Sequence, residues 1–509
     1  MLAAQFAICA AHAAELRIGL SADVTTMDPH FVAAQPNLTA QKHIFDSLVH
    51  VDARGRPIPG LATWRVPDPL TWEFRLRKGV KFHDGAELTA EDVVFSLERP
   101  YAITGSPGGF VPYVRAIASK RIVDRYTVEL RTAAPYGALA QDLAEVLIVS
   151  KRAASGAGGA DFDSGRAAIG TGPYRLVRFV RGSHIELARH EDYWGGRPPW
   201  EKVTLRILPA DPVRTAALLS GELDAIEHVP AADLARLRKT PGLKLESAVS
   251  WRTIFLHLDQ ARDRPPGLAA RDGRPLAANP LKDLRVRRAL SLAINRRAIT
   301  ERVMEGLGIP AGSVVSPSVF GHNPEVAPDP HDPERAAKLL AEAGYPQGFA
   351  LTIATPNNRY INDEQVAQAV AQMFSRVGVA ARVEAMPLAV YFGRARNREF
   401  GVALLGWGSL AADLALRSLA ATPDAAKGYG AWNWGGFSNS KLDALIARSL
   451  GTVDPAAREA LAREAAALAA SELAFIPLHY QLVTWAMKNH LSYTARTDEF
   501  TLAHHFRPR

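Results

Sequence analysis

Between residues 71 and 97 the chain alternates apolar and polar side chains, then changes period. Trp72, Phe74 and Leu76 interleave with Glu73, Arg75 and Arg77, the period-two pattern of a strand with one buried face. Lys78-Gly79 interrupts the run, Val80 and Phe82 resume it, and Asp84-Gly85 marks a turn. Thr89 then reads as a helix N-cap, with Asp92 placed to reach back in a capping box. Val93, Val94 and Leu97 give that helix its apolar face.

The same reasoning predicts strands at 16–20, 121–130, 174–180, 184–189, 251–259, 349–354, 379–384 and 477–486. Helical spacing covers 37–49, 216–222, 282–300, 363–377 and 455–473. A further helix opens at Asp332 as N-cap with Pro333 at its first position, and Gly344 closes it. The glycine- and alanine-rich stretch 156–165 reads as a surface loop, and 261–280 as another. Strands mixed with helices in this way describe an α/β protein.

At 509 residues the chain is long enough for two or three domains. Its 48% hydrophobic and 22% charged residues are globular proportions. The net charge of +8 comes from 47 arginines and 13 lysines against 52 acids. These are dispersed, with no dense basic run, so nucleic acid is not an expected partner. The single cysteine, Cys9, excludes an intramolecular disulfide and a cysteine-based metal site. Residues 1–13 read as the apolar part of a secretory signal peptide, truncated before its charged start, with Ala11-His12-Ala13 as the cleavage site. Export to the periplasm follows from that reading. No later run is apolar enough over 18 residues to span a membrane. A nucleophile elbow, a zinc-binding H-E-x-x-H helix and a Walker loop are all missing from the sequence. No cofactor and no metal site are expected, and a peptide hydrolase stays a remote alternative.

The segment TWEFRLRKGVKFHDG followed by LTAEDVVFS resembles the signature of the solute-binding proteins of ABC importers, family 5, the dipeptide, oligopeptide and nickel-chelate class. About twenty positions agree in identity and spacing. TTMDPH at 25–30, IGTGPY at 169–174, GELDA at 221–225 and KDLRVRRALSLAINRRAIT at 282–300 extend the resemblance over nearly the whole chain. It implies a two-lobed periplasmic-binding-protein fold of type II, large class, hinged on two crossing strands. Lobe I would comprise 14–46, 170–257 and 480–509, with 47–169 as an inserted subdomain, and lobe II 258–479. It further implies a monomer that captures a peptide or peptide-like solute and passes it to an inner-membrane permease with its ATPase subunits.

In such proteins the ligand is buried between lobes that close by a hinge motion. The resemblance also proposes ligand contacts. Peptide binders of the family carry a tryptophan with an aspartate three residues on, which pairs with the free amine. Here Trp407 matches the tryptophan, the aspartate position is Leu410, and Asp413 is the nearest acid beyond it. In dipeptide-type members an arginine near 355–362 pairs with the ligand carboxylate. Arg359 lies near that position, with Tyr360 and Asn357 beside it. A guanidinium can grip a carboxylate through two parallel hydrogen bonds. Residues Ala33 and Gln35 match a loop that contacts peptide backbone, and Trp432 and Trp434 are candidates for the wall. The departure at Leu410 keeps other ligands open: glutathione, an opine or a nickel chelate.

Overall fold

The computed structural model describes residues 15–509. The proposed signal peptide, 1–13, lies outside the described residues.

One twelve-stranded sheet runs through the molecule. At its centre two long strands, Leu243–Leu258 and Phe475–Lys488, pair antiparallel along most of their length. On one side Phe475–Lys488 pairs with Ala225–Ile226, and the sheet continues through Glu15–Leu20, Lys202–Ile207, His184–Arg189 and Tyr174–Val180. On the other, Leu243–Leu258 pairs with Val402–Trp407, which leads to Ala350–Pro356 and Ala380–Met386. Among the described residues the central pair is the part of the sheet that joins the two halves. Its register slips between Val249 and Thr253. A bulge there bends the strand and turns the side chains of Ser250, Trp251 and Arg252 out of the regular alternation.

A separate four-stranded sheet is built from Ala62–Asp68, Thr71–Leu76, Thr127–Thr132 and Ile117–Asp124. Trp72, Phe74 and Leu76 face its core as their alternation requires. The helix Ala90–Glu98 starts with the capping box, where Asp92 accepts from the Thr89 backbone N–H at 3.0 Å. Asp332 likewise accepts from the Arg335 N–H at 2.9 Å to open Pro333–Glu342, and Gly344 adopts a φ of 93° just past its end.

Several expectations are corrected. The strand expected at 121–130 is a hairpin, Ile117–Asp124 and Thr127–Thr132. Asp124 accepts from the Tyr126 N–H at 2.7 Å and turns the chain there. The helix expected at 37–49 is confined to Gln35–Gln41 and gives way to the strand Val49–Val51. The stretch 156–165 contains a helical turn, Gly159–Asp163, because Asp161 caps the Gly158 N–H at 2.9 Å. The helix expected at 216–222 is Asp211–Leu219, started by a proline in its first turn.

The tail packs back across the molecule: Trp200 Nε1 donates to the Phe506 carbonyl at 3.1 Å, and His43 accepts from the Ala503 N–H at 2.9 Å. The larger apolar core unites the small sheet with Leu410–Ala421 and with the helices Ser440–Leu450 and Pro455–Ser471.

Candidate functional site

The bulge at 250–252 sits where the two halves of the sheet meet, so residues around it can feel both. Arg252 is buried and donates to Glu499 through Nε at 3.2 Å and through its terminal nitrogen at 2.7 Å. Glu499 also accepts from Ser250 Oγ at 2.6 Å and from Gln481 Nε2 at 3.3 Å. Burial alone would raise the carboxyl pKa of Glu499, but the Arg252 guanidinium and these donors hold it down to about 2. Glu499 stands at a φ of 63°, in the left-handed region, a conformation this network keeps in place. Gln35 joins from the helix Gln35–Gln41, donating to the Glu499 carbonyl at 3.0 Å.

Arg252 lies 6.0 Å from the ring centre of Tyr360, and Arg359 lies 5.4 Å from the same ring. Both Tyr360 and Arg359 follow the strand Ala350–Pro356, at its C-terminal end. The loop is fixed by Asp363, which accepts from the Arg359 and Tyr360 N–H groups, each at 3.0 Å. Tyr360 Oη donates to the Gly406 carbonyl at 3.1 Å, so its ring is held against the neighbouring strand. Gly406 is required there, since a Cβ would come within 2.6 Å of that ring. Arg359 keeps part of its surface open while protein crowds it. That crowding and the Arg252 charge lower its pKa. Among the described residues no carboxylate pairs with its guanidinium.

Aromatic rings cluster beside the Tyr360–Gly406 contact. Trp407 ends the strand Val402–Trp407 and meets Trp432 edge-on at 5.1 Å. Trp432 and Trp434 lie 5.0 Å apart, and Phe392 packs on both, at 5.8 and 6.3 Å. Asn433 between the tryptophans is buried and ties the loop to the Ala421 and Phe437 carbonyls at 3.0 and 2.7 Å. Trp251 reaches this cluster from the bulge, so close to Gly408 that a Cβ there would meet its ring at 2.7 Å. The indole nitrogens of Trp251 and Trp407 are enclosed yet have no hydrogen-bond partner in the protein.

Sequence reasoning thus brings together Arg359, Tyr360, Trp407, Trp432, Trp434 and Gln35. Asn357 is exposed at the loop, and its N–H is spent on the Met386 carbonyl at 3.1 Å. Ala33 is half-buried, with its N–H donated to the Gly108 carbonyl at 2.8 Å. Asp413 needs correction as an amine anchor. It is fully buried, with its carboxylate bound by Arg458 at 2.8 and 2.9 Å and by Ser449 Oγ at 2.9 Å. No oxygen remains for a ligand. Leu410 is also buried, in the apolar core. Trp251, Arg252, Glu499 and Phe392 were missed. The signal for Arg252 was a charge inside an otherwise apolar strand. Glu499 carried none, because its partner is 247 residues away.

A sheet divided between two halves by one crossing pair, with aromatic and charged groups converging at the junction, defines a two-lobed solute-binding protein. Residues 56–416 match the family described as bacterial extracellular solute-binding proteins, family 5, and the chain belongs to that family. It is 31% identical over 377 residues to the dipeptide-binding protein of Escherichia coli, covering 69% of this chain and 67% of that one. It is 27% identical over 483 residues to heme-binding protein A of Haemophilus influenzae, covering 87% and 82%. The fold is shared with the periplasmic binding protein DppA of Helicobacter pylori, solved with the peptide STSA, at a TM-score of 0.82. The identity there is 23%, over 97% of this chain and 98% of that one. The chain is accordingly a solute-binding component of ABC import. Among the described residues no helix is long and apolar enough to cross a membrane.

Proposed function

We propose that this protein captures a carboxylate-bearing peptide or peptide-like solute in the periplasm and hands it to an inner-membrane permease. The single observation that carries the ligand class is Arg359, whose guanidinium forms no ion pair with a carboxylate among the described residues and lies over the Tyr360 ring. A carboxylate on Arg359 would gain a charge-assisted, bidentate pair in a partly desolvated setting. The body of the ligand would lie on Trp407 and Trp432. Ala33 and Gln35 would border the ligand's backbone from lobe I, and Asn357 would stand at the rim.

In this reading lobe I comprises 14–46, 170–257 and 480–509, the inserted subdomain 47–169, and lobe II 258–479. The protein acts as a monomer, exported by the segment 1–13, and returns its ligand chemically unchanged. The likeness to dipeptide-binding and heme-binding proteins supports a small solute of this size without choosing among such ligands.

The experiment is mass spectrometry of solutes released from the purified protein, followed by titration of each into stripped protein. A carboxylate-bearing solute that raises the unfolding temperature with concentration is the expected result, since only the folded state binds it. Affinity unchanged in Arg359→Ala would remove the basis of the reading.

A further inference from the structure

We propose that the C-terminal tail, residues 494–506, is an acid-sensitive clasp: it stays docked while His43 is neutral and lets go when that ring takes up a proton, freeing the bulge at 250–252 that the tail holds.

The inference comes from how His43 is bonded. Its ring is fully buried just past the helix Gln35–Gln41. Nδ1 lies 2.8 Å from the Thr39 carbonyl oxygen, and Nε2 lies 2.9 Å from the Ala503 backbone nitrogen. A carbonyl only accepts and a backbone N–H only donates, so Nδ1 carries the proton and Nε2 is bare. A second proton would set one N–H against another. Proton uptake and docking of Ala503 therefore exclude each other.

The surroundings offer an imidazolium no acceptor. From the tail, His504 stands 6.2 Å away with His505 4.4 Å beyond it. Arg496 is already paired with Asp498 at 3.0 and 2.5 Å, and Arg507 adds a cation near His505. On its own segment Lys42 is a further cation, which Glu145 faces. Asp46 is occupied by His50, Trp194 and Thr171 at 3.3, 2.8 and 3.0 Å. Tyr174 presents its ring at 6.1 Å. Burial holds the His43 pKa down to about 4, against 6.5 for a free histidine, although its backbone hydrogen bonds oppose the fall. The docked tail thus has its full hold above pH 6.5. It weakens as pH falls below that value and reaches its floor near pH 4.

The tail connects this histidine to the centre of the sheet. The Thr497 carbonyl accepts from the Trp251 N–H at 2.9 Å, and Glu499 grips Arg252 four residues before Ala503. Thr497 itself donates to the Ala53 carbonyl at 2.9 Å. A cavity of about 410 Å³ between the tail and residues 42–58, lined in part by His50, His504 and His505, gives protons a path. Arg252 borders the ligand site argued above, so an effect on solute capture rests on that reading, whereas the clasp does not.

The test is hydrogen exchange read by mass spectrometry on the full-length protein at pH 7.5, 6 and 5, with labelling times scaled to the intrinsic rate. Peptides covering 496–506 and the amide of Trp251 are expected to lose protection about thirtyfold between pH 7.5 and 5, the ratio one histidine supplies. The helices Pro333–Glu342 and Asp363–Ser375 should keep theirs, because the opening is local. His43→Gln, which cannot titrate, should cut the dependence by about tenfold per pH unit below 6.5. Loss of protection over the whole chain together would mean ordinary acid unfolding and overturn the clasp. A tail whose protection does not change with pH would overturn it too, and so would a Trp251 amide that stays protected while the tail opens. An unchanged dependence in His43→Gln would remove His43 as the trigger. The parent protein alone decides the first three outcomes, whether or not that variant folds.

Discussion

Two arginines separate binding from architecture. Arg458 is 2% exposed and holds Asp413, at 0%, in a bidentate pair while also donating to the Gly137 carbonyl at 2.9 Å. Removing the acid strands a buried cation, a change that in buried pairs is destabilising by about 3–5 kcal/mol. Asp413→Ala is therefore expected to lower denaturant stability by that order. Arg359 pairs with nothing that folding requires, so Arg359→Ala is expected to stay within about 0.5 kcal/mol of the parent. Urea unfolding of the two variants side by side checks the contrast, and equal losses would contradict it. The sequence showed both residues as candidates without ranking them. Exposure and partnership decide the ranking, and these depend on contacts across dozens of residues, such as Asp413 with Arg458. Local spacing was enough for Thr89 and Asp92, or Asp332 and Pro333, because their partners lie within one helical turn.

Among elements, Tyr136 links the short helix Leu139–Leu143 to the helix Ala412–Leu419. Arg417 donates to Tyr136 Oη at 2.8 Å, and that hydroxyl donates to Asp142 at 2.5 Å. Burial raises the Asp142 pKa to about 6, although Arg417, Tyr136 and Arg458 oppose the rise and Asp413 adds to it. Tyr113 and Glu145 share the same surroundings. A folded-state pKa above that of the unfolded chain means the folded state holds the proton more tightly. The stabilisation is complete below about pH 4 and is lost as pH rises through about 6. Asp142→Asn should flatten stability between those values, with a difference on the order of 2–3 kcal/mol at most. Unfolding midpoints at pH 4, 5, 6 and 7 for parent and variant measure it, and parallel curves would exclude the effect. The neighbouring Gly137 lets the chain come against the end of the helix Ser440–Leu450: a Cβ there would meet the Thr452 carbonyl oxygen at 2.0 Å. Gly137→Ala should consequently loosen this junction, with a loss of about 1–3 kcal/mol. Periodicity located helices and strands here. It was silent on this junction and on the bulge at 250–252, since both are set by register and close approach between distant segments.

On the scale of the molecule, two exposed hydrogen bonds stand at the mouth of the proposed cleft, beside the buried junction of Arg458 with Gly137. Arg115 donates to the Ala426 carbonyl at 3.1 Å and Arg396 to the Pro107 carbonyl at 3.3 Å, each joining the small-sheet region to the segment 396–426. Both are exposed, and such hydrogen bonds contribute about 0.5–1.5 kcal/mol each. The central strand pair is continuous through both halves, and its register is irregular at 249–253 and again at 254–255. A ligand favours the closed arrangement only by the free energy with which it binds that state better. In the proposed reading Arg359 would supply such a difference by pairing with an enclosed ligand carboxylate. The resting balance should therefore be sensitive to the two mouth contacts. A double variant, Arg115→Ala with Arg396→Ala, is expected to shift the ligand-free population toward the open form. It should weaken ligand affinity by about tenfold, the equivalent of about 1.4 kcal/mol. Spin labels at Thr104 and Asn397, placed on a background lacking Cys9, would report the mouth distance directly. A shorter distance on adding ligand, and a longer ligand-free distance in the double variant, is the expected pair of results. Unchanged distances with lowered affinity would mean that the arginines act on the ligand and not on closure.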